Sequence, residues 1–347
     1  MKTLKHIYLL FLLVTISKAN AQDFTFSQFY EMPLLRNPAI SGLFGTIDNV
    51  QDMRIQSAYR NQWASVSSPF RTIALSAEFK RQIGKSDDWI TYSFQTYKDE
   101  AGDANLGTVS ILPAINIMKS VGIENESYLS FAFMGGLVQN RFDPSKMTFD
   151  DQFQDGAFFP ENPTNQTFNA TTNTYFDAST GLSYSSNIGY DTRYYVGAAL
   201  FHLNKPKNQF AAFGNEKNIN PRFSLNGGLT SPTNDNNRFN IFADYIIQGG
   251  NKQFLLGYMY IHQLAEATWL GFETSLSLGG FIRWGDAFVP VAKLDYKRLS
   301  LGVSYDVNMS KLITASKLKG GFEITTSFKT QLNFSNQDFQ NLRCPRF

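Results

Sequence analysis

Apolar and polar residues alternate one by one along most of this chain. In Phe70-Arg71-Thr72-Ile73-Ala74-Leu75-Ser76-Ala77-Glu78-Phe79-Lys80, the residues Ile73, Leu75, Ala77 and Phe79 fall on one side, with Thr72, Ser76, Glu78 and Lys80 on the other. This is the two-residue period of a β-strand with one apolar face. The same alternation runs over 127–141, 194–202, 222–229, 238–247, 253–261 and 267–278. It closes at 321–328, where Phe322, Ile324 and Phe328 alternate with Glu323, Thr325 and Ser327. Turn clusters such as Ser86-Asp87-Asp88 and Gln248-Gly249-Gly250-Asn251 stand between these stretches. No helical period of comparable strength follows residue 21.

The pattern predicts about fourteen strands between Asp52 and Phe328, and about 9 to 11 residues is the length at which a tilted strand crosses an outer membrane. A soluble sandwich would bury its apolar faces, whereas a membrane barrel turns them to lipid and keeps a polar interior. Three features favour an all-β transmembrane antiparallel barrel. Aromatic residues stand at strand ends, in the pairs Tyr59 with Trp63, Trp89 with Tyr97, and Tyr258 with Tyr260, as interfacial girdles require. The polar faces are dense in Ser, Thr, Asn, Gln and Gly, and the connections are short, as in an up-and-down barrel. Residues 22–50 lack alternation and contain Pro33 and Pro38; they are expected to form an irregular N-terminal extension, a candidate plug of the lumen. The barrel is then expected over 51–330, followed by a tail over 331–347. Residues 143–173 form the longest loop, and loops of such length in a compact fold are usually functional. A smaller loop spans Asn204 to Asn220.

The start of the chain changes the charge picture. Lys2 and Lys5 precede the apolar run Ile7 to Ile16 and the Ala19-Asn20-Ala21 cleavage pattern, so residues 1–21 read as a secretory signal peptide, too short for a membrane anchor. Of 347 residues, 31 are basic and 29 acidic, a net charge of +2. Leaving out the three lysines of the first eighteen residues, 28 basic residues face 29 acidic ones, a net charge of −1. That balance excludes nucleic acid as a partner, which would call for a clustered basic surplus. Charged residues are only 17% of the chain, against about 25% in an ordinary soluble domain, while Phe occurs 32 times. Cys344 is the single cysteine, so no intramolecular disulfide and no multi-cysteine metal site is available.

Enzyme signatures are missing: there is no Gly-x-Ser-x-Gly elbow, no His-Glu-x-x-His and no phosphate-binding glycine loop. A hydrolase of the outer-membrane phospholipase type would need His202 or His262 beside a Ser on an adjacent strand. Asp87-Asp88 and Asp150-Asp151 lack the alternating spacing of a calcium loop and read as solvated turns. No catalytic residue, metal or cofactor is expected. Glu78, Lys80, Glu273, Arg283, Lys293 and Asp295 are candidates for a charged lattice lining the interior.

Phe26-Ser27-Gln28-Phe29-Tyr30, then Asn37-Pro38-Ala39-Ile40-Ser41-Gly42, and then Tyr59-Arg60-Asn61-Gln62-Trp63 on the first strand together resemble the PorP/SprF family of outer-membrane proteins of the type IX secretion system. Ser120, Tyr128-Leu129-Ser130, Gly135-Gly136, Phe142-Asp143, Tyr175-Phe176-Asp177 with Gly181-Leu182, and the terminal Cys344-Pro345-Arg346-Phe347 continue the likeness in order. The resemblance implies a non-enzymatic bacterial outer-membrane barrel without cofactors, taking part in protein secretion and gliding motility. Implied partners are a secreted adhesin or other substrate with a type B C-terminal sorting domain, the type IX translocon or periplasmic peptidoglycan-binding components, and outer-membrane lipid. In the long loop, Phe149, Phe153, Phe158, Phe159 and Phe168 form an aromatic cluster expected to contact the partner. The alternative from another class is an outer-membrane channel or transporter passing a small hydrophobic solute through the lumen.

Overall fold

Within the alternating stretches it is the polar residue that is hidden and the apolar one that is exposed. Ser130 is 0% exposed while its neighbour Phe131 is 54% exposed. On β2 (Phe70–Gln82), Thr72, Ser76, Glu78 and Lys80 are buried, whereas Ile73 and Leu75 face outward. A sandwich core would reverse this assignment; only a wall with lipid outside and polar contents inside accounts for it.

The computed structural model describes residues 23–45, 51–64, 68–84, 87–102, 104–122, 126–154, 156–159, 161–166, 168, 170–189, 191–208, 217–234, 236–265, 273–310, 316–332 and 347. The expected signal peptide at 1–21, the last residues of the 22–50 extension and Cys344-Pro345-Arg346 lie outside them. Besides β2, the barrel strands are β1 (Met53–Gln62), β3 (Trp89–Ala101), β4 (Leu106–Gly122), β5 (Ser127–Arg141), β8 (Thr172–Ile188), β9 (Thr192–Phe201), β12 (Arg222–Asn234), β13 (Asn237–Gln248), β14 (Asn251–Ala265), β15 (Thr274–Arg283), β16 (Ala287–Tyr296), β17 (Leu299–Asn308) and β18 (Lys319–Thr330). Each pairs antiparallel with its neighbours in the chain, and β1 meets β18 from Met53 opposite Thr330 to Gln62 opposite Gly321. The result is a closed barrel of fourteen strands with no free edge, so the backbone polar groups of the apolar layer are paired within the ring except at short interruptions beside Pro113 and Pro290.

Connections differ between the two ends. At one end the turns are short, as at 235–236 and 297–298, and both the entry to β1 and the exit of β18 lie there. The opposite end carries the connections 142–171 and 202–221. Short turns mark the periplasmic face and long loops the extracellular one. Each long connection contains a two-residue hairpin that the periodicity did not reveal, β6 (Phe153–Gln154) with β7 (Ala157–Phe158), and β10 (Lys207–Asn208) with β11 (Lys217–Asn218).

The aromatic pairs expected at the girdles divide. Tyr258 and Tyr260 face outward, and Tyr59 lies beside the outward Phe322 at 5.7 Å between ring centroids. Trp89 is buried inside the ring, and Tyr97 packs edge-on against Phe24 at 4.9 Å. The reason is parity: Trp89 and Tyr97 share the inward register of Thr91, Ser93 and Gln95, so position near a strand end did not decide their face. Trp284 and Tyr296, both exposed, stand at opposite rims instead.

Candidate functional site

Inside the ring lies the segment preceding β1. Residues 23–45 form three single turns, Phe29–Glu31, Pro33–Arg36 and Pro38–Ile40. Pro at the first position of the last two turns costs no hydrogen bond, because that amide would have no helical partner. The turns are too short to hold themselves together, so their shape is set by the wall around them. Phe29, Met32, Leu34, Ile40, Leu43 and Phe44 are buried among inward apolar residues, for example Phe242, Leu255 and Phe281 around Phe29.

Charges fix the segment at several levels. Near the long-loop end, Asp23 meets His202 Nε2 at 2.9 Å and Arg222 at 3.1 Å, and His202 Nδ1 meets Asp177 at 2.9 Å. Burial alone would lower the His202 pKa, but the carboxylates of Asp23 and Asp177 win and raise it to about 9. Burial likewise opposes ionisation of Asp23, yet His202 and Arg222 hold its carboxyl well below the usual range. One step on, the Ser27 and Gln28 amides donate to the two oxygens of Glu323 on β18, at 2.8 and 2.7 Å. The Ser27 hydroxyl donates to Asp306 at 2.6 Å. Asp306 also accepts from Arg60 and Arg283, each at 2.8 Å, and Arg60 donates to the Thr25 carbonyl. Glu31 pairs with Lys293 at 2.6 Å.

Arg36 forms the central contact. Its Nε and Nη2 donate to both oxygens of Asp244, at 2.8 and 2.5 Å, and Nη1 donates to the Tyr195 hydroxyl at 2.7 Å. The guanidinium also lies 4.9 Å from the Phe29 ring centroid. Planar bidentate pairing with ring stacking suits arginine and would not be reproduced by lysine. Toward the periplasmic end, the Gly42 amide donates to Glu78 at 2.7 Å, Asn116 donates to the Ser41 carbonyl at 2.7 Å, and Lys80 donates to the Phe44 carbonyl at 2.6 Å. Together these contacts reach the inner wall of every strand in the ring.

Of the candidate interior charges, Glu78, Lys80, Arg283, Lys293 and Asp295 lie inside; Glu273 pairs with Arg238 at the rim. Asn37 and Pro38 are buried: Asn37 caps its own turn through the Ala39 amide at 2.9 Å and donates to the Leu182 carbonyl at 3.0 Å. Gly181 and Gly197 permit this approach, since a Cβ on Gly197 would stand 2.6 Å from the Asn37 amide nitrogen and one on Gly181 would overlap the Asn37 side-chain oxygen. Arg60 points inward, Tyr59 outward, Asn61 and Gln62 end β1 opposite Phe322 and Gly321, and Trp63 packs on Phe70 at 5.2 Å. His262 has its Nδ1 2.6 Å from the Asn237 side-chain oxygen. Both histidine environments among the described residues are thus amide or carboxylate, with no serine partner. The sequence pattern gave no sign of Asp23, Asp244, Asp306 or Glu323 as anchors, because each partner lies far away along the chain.

In the long loop, Phe149 and Phe168 turn toward each other at 5.9 Å, and Phe168 also meets Phe142 at 5.1 Å. Phe153, Phe158 and Phe159 are exposed. The family model described as "Type IX secretion system membrane protein PorP/SprF" matches residues 18–328. The chain belongs to the PorP/SprF family. No curated protein matches it. Among solved structures, this PorP/SprF protein is similar to a TodX monoaromatic hydrocarbon channel deletion mutant at 8% identity and TM-score 0.46, covering 87% of this chain and 94% of that one. It is also similar to BamA from Haemophilus ducreyi, at 10% identity and TM-score 0.38 over 81% and 70% of the chains. A third is the β domain of the Bordetella autotransporter BrkA, at 9% and 0.39 over 82% and 100%. As a PorP/SprF protein it is an outer-membrane component of type IX secretion, associated with that machinery and its substrates.

Proposed function

We propose that this PorP/SprF protein is a non-enzymatic, plugged barrel that supports secretion of a partner protein and holds it at the cell surface, the partner being a gliding adhesin or another substrate with a type B C-terminal sorting domain. The observation that carries this reading is the interior: residues 23–45 are tied to the wall by buried pairs such as Arg36 with Asp244. Withdrawing one partner from such a pair strands a buried charge, at a cost of about 3–5 kcal/mol. A segment held in this way leaves the lumen filled and gives the barrel to its outer surfaces, whereas a solute channel needs a continuous path. The filled lumen therefore speaks for anchoring over the transport alternative. In this reading 22–50 is the plug, 51–330 the barrel and 331–347 a C-terminal tail, whose last residue, Phe347, packs inside the ring against Tyr195 at 4.5 Å between ring centroids.

The test is deletion of the gene, followed by measurement of secreted sorting-domain proteins on the cell surface and in the medium. The expected result is loss of one such protein from the surface, with its recovery in stoichiometric amount on a tagged barrel purified in mild detergent. Unchanged surface proteins together with lost uptake of a small apolar solute would replace this reading with the channel.

A further inference from the structure

The extracellular connection between β5 and β8 is a built structure. Gln152 is buried at its centre: its side-chain oxygen accepts from the Phe149 amide at 3.0 Å, and its side-chain nitrogen donates to the Asn162 carbonyl at 3.0 Å. The Phe159 amide closes onto the Gln152 carbonyl at 3.1 Å. Asp151 accepts from the Thr164 hydroxyl and the Asn165 amide, at 3.0 and 2.6 Å. The base of the loop is tied to the neighbouring turn by the Asp143 amide on the Ala104 carbonyl at 2.9 Å. The β6–β7 hairpin sets Phe153 directly across from Phe158.

This framework shapes an open cup of about 330 Å³ lined by Thr148, Phe149, Asp150, Phe153 and Phe158. Three of the five lining residues are phenylalanines. Asp150 is exposed, and its carboxylate makes no ion pair among the described residues. The surroundings have the same sign: between Phe142 and Thr171 the sequence holds Asp143, Asp150, Asp151, Asp155 and Glu161 against the single Lys146. Exposed aromatic faces beside a free carboxylate, in a field of net negative charge, are complementary to an organic cation. An apolar ligand would gain nothing from the carboxylate, and an anion would be repelled.

We propose that this cup receives a lysine or arginine side chain of the secreted partner, its cationic head over the Phe153 and Phe158 rings and against Asp150. The proposal rests on the anchoring role above and names the chemistry by which the barrel would hold its partner. Phe149 forms the back of the cup through its contact with Phe168, and Phe159, although exposed, stands outside it.

The test uses the full-length barrel in detergent and a fluorescein-labelled hexalysine peptide, followed by fluorescence anisotropy at low and physiological salt. Hexalysine is expected to bind, more weakly as salt rises, while labelled hexaglutamate does not. Phe153→Ala and Phe158→Ala are each expected to weaken binding about two- to five-fold, Asp150→Asn at least as much, Phe153→Tyr little and Phe159→Ala not at all. All four positions are exposed, and heat-modifiable mobility on gels checks that each variant remains a folded barrel. Absence of hexalysine binding, or binding unaltered by Phe153→Ala and Phe158→Ala, overturns the proposal, the latter because it would reduce the attraction to the loop's general charge. In cells, a partner lost from the surface on gene deletion but retained by the Asp150→Asn, Phe153→Ala double variant would overturn the cup and leave the anchoring function standing. A partner unaffected by gene deletion would overturn the function itself.

Discussion

At the scale of single residues, the interior is a set of side chains whose value depends wholly on their partners. Asp244 is buried against the Arg36 fork, so Asp244→Ala leaves a guanidinium in the lumen without its counter-charge. The expected cost is about 3–5 kcal/mol, read as a lower denaturant midpoint for loss of heat-modifiable mobility. The same variant is expected to open the interior to solvent, read as faster labelling of a cysteine introduced by Ser41→Cys in a Cys344→Ser background. Asn37 supplies a steric counterpart. Gly181→Ala would push a methyl group into the Asn37 side chain, with an expected penalty of about 1–3 kcal/mol from overpacking. If the Asn37 side chain is the obstacle, the penalty shrinks in an Asn37→Ala background; equal penalties in both backgrounds would place the clash elsewhere.

At the scale of elements, the extended start of the inserted segment carries a pH dependence whose sign can be worked out. His202 has its pKa raised to about 9 in the folded protein, above the ordinary value near 6.5. Its contribution is therefore fully present below about pH 6.5 and lost as pH rises through about 9. Asp23 is held below the ordinary carboxylate range, so its contribution is present above about pH 4 and fades as the solution is made more acidic. The attachment of residues 23–28 is expected to be firmest between these limits. Hydrogen exchange of their amides, normalised for the intrinsic rate, should show protection falling as pH rises from about 6.5 to about 9, and His202→Gln should remove that step.

Strand against strand, the alternation in the sequence was a reliable guide. Phe70 to Lys80 presents one face to lipid and the other to the lumen just as its apolar and polar residues divide, because a period of two admits no other arrangement in a wall one strand thick. Periodicity carries less information where side chains of mixed character meet. Trp89 and Tyr97 sit inward because their register puts them there, although aromatic composition suggested a rim. The small β6–β7 and β10–β11 hairpins are two residues long on each side, too brief for any period to register. The pairings that hold the inserted segment were illegible for another reason. Arg36 finds Asp244 and Asp23 finds His202 across most of the chain, and no local pattern encodes a contact that exists only after the ring has closed.

At the scale of the whole molecule, filling and closure describe one object. Removing residues 23–45 would leave Asp244 and Glu323 without the groups that now meet them and Glu78 and Asp306 with only their wall arginines, Arg54, Arg60 and Arg283, and water and ions would take the vacated space. In planar bilayers the intact barrel is expected to be electrically quiet, and the deletion variant to give discrete conductance steps. Conductance of equal size from both would refute the idea that the segment fills the lumen. The deletion variant should also unfold at lower denaturant concentration, since the buried apolar contacts of Phe29, Leu34 and Phe44 would be lost with the charges.

The attachment of Ser27 and Gln28 to Glu323 also sets an order of assembly. These partners are separated by 296 and 295 positions, and Glu323 stands on the strand that completes the ring by pairing with β1. Arg60 on β1 joins Thr25 and Asp306 at the same place, so the inserted segment straddles the seam. Contacts of such separation repay their loop-closure entropy late in folding. A nascent barrel thus lacks the Glu323 attachment of the segment before β1 until β18 arrives, and the act that seals the wall also ties the two ends of the barrel sequence together from within, like a rivet set through the last joint of a hoop.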